Sequence, residues 1–169
     1  MPRFLPAGDA ALTVELGNRI AIPLNRKVRV LALAIEKAAL PGVIEVVPTY
    51  RSLTIYYDPL SLSLADLRRE VEGLLERLKD IPLLPSRLVT IPTVYDGEYG
   101  PDLPFVAQHC GLSEEEVIRL HMLPTYHVYM LGFTAGYAYL GGMSKRLTTP
   151  RLASPRLRVP AGSVGIGGN

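Results

Sequence analysis

The chain has 169 residues, of which 48% are hydrophobic and 20% charged, and its formal net charge is +2. This composition is typical of a globular protein with one large or two small domains, and no apolar run approaches the roughly 18 residues that a membrane span needs. The N-terminus shows no signal peptide and the single cysteine, Cys110, excludes an internal disulfide, so we expect a cytoplasmic protein.

The first half of the sequence alternates strand and helix patterns. A Gly-Asp turn precedes a strand at Ala11–Leu16, a helix follows from about Pro23 to Ala39, and two strands fill Val43–Asp58. The next helix is the clearest, because Ser63 can cap it and apolar residues recur on one face. That stripe comprises Leu64, Leu67, Val71, Leu74, Leu75 and Leu78. The order predicts an α+β fold that opens with a ferredoxin-like α/β sandwich.

The proline-punctuated stretch Ile81–Ser86 marks the predicted domain boundary. We therefore expect an N-terminal domain at residues 1–82 and a second domain at residues 87–169. No internal repeat or low-complexity segment argues for another division.

The second domain is predicted to begin with a strand at Arg87–Tyr95 and a short helix from Asp102 to Cys110. A capping box at Ser113–Glu116 opens another helix through about His121. From Pro124 onward, aromatics, glycines and prolines indicate short strands and tight turns of an all-β unit. The sequence stops inside a strand expected from Ser163, so we expect that either the β-rich domain is truncated or another chain completes its sheet.

Charge is distributed unevenly along the chain. All 16 acidic residues lie at or before Glu116, and the six cations after it leave the last 53 residues at +6. Such a segment favours an anionic ligand or an acidic partner surface. Alternatively, a missing C-terminal segment supplies the compensating acids. Nucleic acid is not expected, because no recognised binding motif is present.

Aromatic residues cluster at Tyr126, Tyr129, Phe133, Tyr137 and Tyr139. They fit the core or wall of a β structure, or a pocket for a small anion rimmed by arginines whose guanidinium groups hold a carboxylate or phosphate at two points. The rim arginines would be Arg151, Arg156 and Arg158. The residues alone leave both interpretations open.

Other catalytic patterns are weak. His121 either caps a helix C-terminus or lines a functional pocket, and the three histidines with Cys110 form no metal-ligand motif. The glycines of GSVGIGGN lack the Lys-Ser/Thr of a phosphate-binding loop, and Ser163 lacks the spacing of a nucleophile elbow.

Two long motifs carry a family resemblance. YMLGFTAGYAYLGG at Tyr129–Gly142 resembles Y-x-x-G-F-x-P-G-[FY]-x-Y-L-G-G, and Thr149–Gly168 resembles P-R-x-x-x-P-R-x-x-V-P-A-G-S-V-G-I. Shorter matches follow the family order at Tyr50-Arg-Ser-Leu, Tyr57-Asp-Pro, Gly97–Asp102 and Glu115–His121. The chain thus resembles the family of B-type 5-oxoprolinase subunits, also called the Kip-inhibitor or allophanate hydrolase subunit 1 family.

The resemblance implies an N-terminal α/β domain followed by a cyclophilin-like β-barrel. It implies a subunit, inactive alone, of an ATP-dependent 5-oxoprolinase that opens the lactam of 5-oxoproline to glutamate. The implied partners are the Kip-antagonist-type, cyclophilin-like protein, which is the C-type 5-oxoprolinase subunit, and a third subunit. The resemblance also implies that Arg151, Arg156 and Arg158 bind an anion and that His121, Tyr129 and Tyr137 line the pocket. It implies no metal and assigns no general base.

A second function is also open, because some relatives inhibit a sensor histidine kinase by binding it. Exposed apolar surface at Tyr137, Tyr139 and Leu140 would favour that function. The sequence departs from the family pattern at Ala135 and Ala138, where proline is usual or common, so the glycine-rich loop is expected to be less rigid. Relatives also continue beyond Asn169 with further strands, which is the second reason to expect a truncated barrel.

Overall fold

The computed structural model describes residues 2–78, 82 and 85–168, which form a mixed α/β protein with antiparallel sheets. The chain divides into two compact units. The first comprises Met1–Arg87 with Val128–Leu140, and the second Leu88–His127 with Gly141–Asn169. The inclusion of residues 128–140 in the first unit was not foreseen, and the division into residues 1–82 and 87–169 stays a prediction.

The first unit is built on a four-stranded antiparallel sheet with strand order β1-β2-β4-β3. Strand β4 pairs with both β2 and β3, so those two strands run parallel to each other with β4 between them. Helix α1 makes the connection from β2 to β3. The elements are β1 Arg3–Pro6, β2 Ala11–Glu15, α1 Ile22–Ala38, β3 Val43–Pro48, β4 Ser52–Tyr57 and α2 Leu64–Glu76.

The two helices bury their apolar faces against the sheet. The expected stripe of α2 is confirmed, with Leu67 and Val71 fully buried and the other leucines partly buried against them. The Ser63 side chain accepts a hydrogen bond from the amide of Asp66, as its position before α2 predicted. The buried core comprises Leu12, Val14, Val28, Leu31, Ile35, Leu53, Ile55, Tyr57, Leu67 and Val71.

Strand β1 was missed by the sequence analysis. It pairs with β2 as a hairpin, with Arg3 opposite Glu15. The strand is four residues long, mostly exposed, and ends in Pro6, so it lacks the alternation that marks a half-buried strand. Proline is tolerated there because β1 lies at the sheet edge.

The second unit has a small helical core. Helix α3 spans Leu103–Cys110 and ends at Gly111 with a positive φ of 65°, while α4 spans Glu114–Met122 behind the Ser113 cap. Both helices confirm the sequence-based expectation. The buried residues are Val106, Ala107, Val117, Leu120 and Leu147, the last of which lies in a 3₁₀ turn at Lys145–Leu147.

The strand predicted at Arg87–Tyr95 is wrong, because none of those residues is in a strand. The strand predicted to begin at Ser163 is likewise absent as far as residue 168. In the described part of this half of the chain, the only paired strands are β5 His127–Leu131 and β6 Ala138–Gly141. A strand needs a partner for its ladder of hydrogen bonds, and no described strand offers one to these segments.

No helix among the described residues has the length and apolar character needed to cross a membrane.

Candidate functional site

His121 in α4 is at the centre of a polar and aromatic cluster in the second unit. Its Nδ1 lies 2.6 Å from the hydroxyl oxygen of Tyr95, and the two rings meet edge to face with centroids 5.6 Å apart. Tyr126 donates its hydroxyl proton to the backbone carbonyl of His121 across 2.8 Å. The imidazole is therefore fixed through its ring nitrogen and through its backbone.

Burial sets the charge state of this cluster. It lowers the pKa of His121, and no charged side chain contributes to that shift. Burial also raises the pKa of Tyr95 and of Tyr126. At neutral pH the cluster therefore consists of a neutral imidazole and two protonated phenols.

The three candidate arginines do not behave alike. Both terminal nitrogens of Arg156 bind the carboxylate of Asp102, at 2.6 and 2.5 Å, just before α3. Hydrogen bonding from Arg156 is the largest cause that lowers the pKa of Asp102. Arg151 and Arg158 are exposed and make no ion pair with any described residue. Two guanidinium groups thus remain available to an external anion, while the third has an internal partner.

The two candidate tyrosines lie in the first unit, in an aromatic cluster carried by β5 and β6. Tyr129 contacts Tyr50 with ring centroids 5.3 Å apart, and Tyr50 contacts Tyr139 at 6.0 Å. Tyr137 joins the cluster through Tyr139 at 5.1 Å. Burial, followed by the neighbouring tyrosines, raises the pKa of Tyr50. The cluster is a group of packed tyrosine rings. Because the pKa of Tyr50 is raised, its phenol stays protonated at neutral pH.

Asn25 joins this cluster to helix α1 and was not identified from the sequence. Its buried side-chain amide donates to the backbone carbonyls of Thr49, Tyr50 and Tyr129, at 3.1, 3.3 and 3.0 Å. The available signal was its position three residues before Val28, on the apolar face of an amphipathic helix. A polar residue at such a place must find partners inside the fold.

The tip of the β5–β6 hairpin is strained. Phe133 has a φ of 62°, which L-residues rarely adopt, and the amide of Thr134 donates to the carbonyl of Gly132 across 2.7 Å. This three-residue turn leaves Phe133 89% exposed, and its ring meets that of Tyr137 edge to face. Strained backbone that displays an aromatic side chain is more typical of a binding loop than of a connector.

The predicted site residues therefore fall into two groups. Tyr129 and Tyr137 share the aromatic cluster of the first unit, whereas His121 and the arginines belong to the second. Tyr95 was not foreseen as a site residue, because it ended a predicted strand. The described residues contain no group of three or more His, Cys, Asp or Glu side chains arranged to hold a metal.

Comparison with known proteins gives one consistent answer. The family model described as carboxyltransferase domain, subdomain C and D, matches residues 2–169. The chain is 43% identical to the B-type 5-oxoprolinase subunit of Bacillus subtilis over 171 residues, which cover 95% of this chain and 71% of that protein. Against the B-type 5-oxoprolinase subunit of Escherichia coli O157:H7 it is 42% identical, over 95% of this chain and 72% of that one.

Solved structures agree on the fold. A crystal structure of the protein TTHA0988 matches 94% of this chain with a TM-score of 0.79 and 40% identity, and this chain spans 30% of that longer one. Urea carboxylase of Kluyveromyces lactis matches 78% of this chain with a TM-score of 0.55 at 14% identity, over 14% of its own length. The latter likeness shows a shared fold and nothing further.

Proposed function

This chain belongs to the family of B-type 5-oxoprolinase subunits, and we propose that it is one subunit of an ATP-dependent enzyme complex that hydrolyses 5-oxoproline to glutamate. The observation that supports the proposal most strongly is the 42–43% identity to two proteins named as B-type subunits of 5-oxoprolinase, each across 95% of this chain. Identity at this level over nearly the whole chain argues for a shared role rather than for a shared fold alone.

The unpaired arginines fit the chemistry of such a reaction. A lactam carbonyl is a poor electrophile, and phosphorylation of its oxygen by ATP would activate it towards water. The exposed guanidinium groups of Arg151 and Arg158 have the planar donor geometry that binds phosphate or carboxylate at two points. Arg156 would join them only when a ligand competes with Asp102 for its two donors. ATP is thus a cofactor that this chain would share with its partner subunits.

The architecture that we propose is ferredoxin-like in the first unit and cyclophilin-like in the second half. The first part is supported by two parallel strands, β2 and β3, which α1 connects and between which β4 is inserted. The edge position beside β2, however, is taken by β1 from the N-terminal side. The proposed partners are the Kip-antagonist-type protein, which is the C-type 5-oxoprolinase subunit, and a third subunit, in the cytoplasm.

Charge reversal tests the proposed anion site. In the complex assembled with its two partner subunits, Arg151→Glu and Arg158→Glu should each raise the KM for ATP or for 5-oxoproline about 10-fold or more, because a charge-assisted hydrogen bond contributes about 1.5–3 kcal/mol. Arg26→Glu, an equally exposed cation on α1, serves as the matched control and should leave both constants unchanged. Unchanged kinetics in both test variants would remove these arginines from the site.

The second candidate function is the inhibition of a sensor histidine kinase by direct binding. The observation in its favour is the exposed apolar surface of the β5–β6 hairpin, where Phe133, Tyr137 and Leu140 are 89%, 47% and 44% exposed. Exposed aromatic residues grouped on a hairpin are typical of a protein-binding surface.

A binding measurement with a kinase dimerisation domain tests this second function. Phe133→Ser should weaken binding about 30-fold or more if the hairpin tip is the anchor, because a buried aromatic anchor carries about 2 kcal/mol or more of the binding free energy. Phe105→Ser, which changes an exposed phenylalanine of the second unit, is the control. Absence of any complex with the unsubstituted chain would exclude this function.

A further inference from the structure

His121 presents one ring nitrogen that the fold does not use. Nδ1 is engaged by Tyr95, whereas Nε2 makes no hydrogen bond with the described residues. Every buried side-chain nitrogen or oxygen in the described part has a hydrogen-bond partner. An unpaired Nε2 on a half-buried ring must therefore reach solvent, and so it is accessible to a ligand.

The Tyr95 contact determines which nitrogen of His121 carries the proton. A phenol is a stronger proton donor than a neutral imidazole N–H, and an imidazole lone pair is a stronger acceptor than a phenol oxygen. At 2.6 Å the favoured arrangement is therefore Tyr95 O–H donating to Nδ1. The proton of the neutral ring then lies on Nε2, which faces outward as an N–H donor.

We infer that His121 acts as a neutral hydrogen-bond donor, through Nε2–H, to an oxyanion of the substrate, and that Tyr95 is the positioning residue that fixes this tautomer. This inference rests on the proposed function for the identity of the oxyanion, which would be a phosphoryl oxygen of ATP or of the phosphorylated lactam. It gives His121 a binding and stabilising part rather than that of a general base.

The surroundings of His121 suit a neutral donor. Burial alone lowers its pKa, so the ring stays neutral although it lies near the C-terminus of α4, where a cation would be favoured. Among the described residues its ring neighbours are Tyr95 and Tyr126, so no carboxylate competes for Nε2–H there. A preorganised N–H of this kind stabilises negative charge that develops on oxygen.

Two substitutions at His121 separate a donor from a base. In the assembled complex, His121→Ala should lower kcat about 100-fold or more, the usual cost of one oxyanion donor. His121→Gln places an amide N–H near the position of Nε2–H and should recover most of that loss. If His121 is a base, His121→Gln will be as inactive as His121→Ala, because an amide accepts no proton, and the inference is overturned.

Matched variants test the positioning role of Tyr95. Tyr95→Phe removes the hydroxyl that contacts Nδ1 and should lower kcat about 10-fold, whereas Tyr99→Phe changes an exposed tyrosine of the same unit, outside the His121 cluster, and should leave kcat unchanged. His109→Gln, at the end of α3, controls for the loss of a helix-terminal histidine. Equal losses in the two tyrosine variants would mean that Tyr95 has only a structural part.

Nitrogen-15 NMR of the imidazole in the isolated chain tests the tautomer without any enzymatic activity. We expect a single neutral Nε2–H tautomer at pH 7 that becomes a mixture in Tyr95→Phe. A proton on Nδ1 would overturn the inference, whatever the complex does. Conversely, an inactive complex with the expected tautomer would count against the proposed function alone, and inorganic phosphate should then still shift the Nε2 resonance.

Discussion

Asn25 illustrates how one buried polar side chain can join separate segments. Its amide reaches three backbone carbonyls, two in the turn between β3 and β4 and one in β5, and it is fully buried. Two of those carbonyls belong to Tyr50 and Tyr129, so Asn25 also holds the backbone from which their rings project.

Replacing Asn25 should therefore destabilise the protein strongly. Asn25→Leu removes the three hydrogen bonds that this fully buried amide donates, and we expect the free energy of unfolding to fall by about 2–4 kcal/mol. Asn18→Ala, at an exposed loop position, should change it by less than about 0.5 kcal/mol. Urea unfolding followed by far-UV circular dichroism measures both, and a similar small effect at the two positions would contradict this role.

The ion pair of Asp102 and Arg156 predicts a defined pH dependence. The pKa of Asp102 is below its ordinary value of 3.8 in the folded chain, so its contribution to stability is present above that value and is lost as the pH falls through the folded-state pKa. Both side chains are 43% exposed, so the contribution is small and weakened by salt.

A carboxyl titration by NMR checks this directly. Arg156→Gln should raise the pKa of Asp102 towards its ordinary value, because the main cause of the depression is removed. Arg151→Gln removes another exposed guanidinium of the same segment and should leave that pKa where it is. A pKa for Asp102 that does not move in Arg156→Gln would show that the pair is not formed in solution.

At the scale of elements, helices were predictable and most of the second-half backbone was not. Ser63 and Ser113 cap the N-termini of α2 and α4, and Gly111 ends α3. All three act through local contacts that the spacing of residues in the sequence predicts. Whether β1 and Arg87–Tyr95 form strands depends instead on which segments pair with each other. Strand pairing is set by the tertiary structure, so the local sequence did not predict it. The contact between Tyr95 and His121 could not be predicted for the same reason, because the two residues lie 26 positions apart in the sequence.

The C-terminus of α1 allows a matched test of helix termination. Ala39 has a φ of 46°, in the left-handed region where a side chain is unfavourable, so Ala39→Gly should raise the free energy of unfolding by about 0.5–1 kcal/mol. Ala38→Gly, one residue earlier and inside the helix, should lower it by about 1 kcal/mol. Chemical unfolding measures both changes in the free energy of unfolding. Changes of opposite sign would confirm that α1 ends between Ala38 and Ala39, and changes of the same sign would contradict it.

At the scale of the whole molecule, the candidate site residues that the family resemblance implied are divided between the two units. The family was evident from the motifs in Tyr129–Gly142 and Thr149–Gly168, and the comparisons confirm it. The arrangement of the candidate site was not evident, because motif order does not say that Arg156 is paired with Asp102 or that Asn25 supports β5. The chain covers 71% and 72% of its two bacterial relatives named above, so the activity of the assembled complex is a proposal for this chain.

The most direct test of the central claim is ATP-dependent release of glutamate from 5-oxoproline by this chain together with its two proposed partner subunits. We predict glutamate formation with the three proteins present, and its loss when this chain alone is left out. Glutamate formation at an unchanged rate without this chain, or none from a soluble and fully assembled complex, would contradict the proposed function.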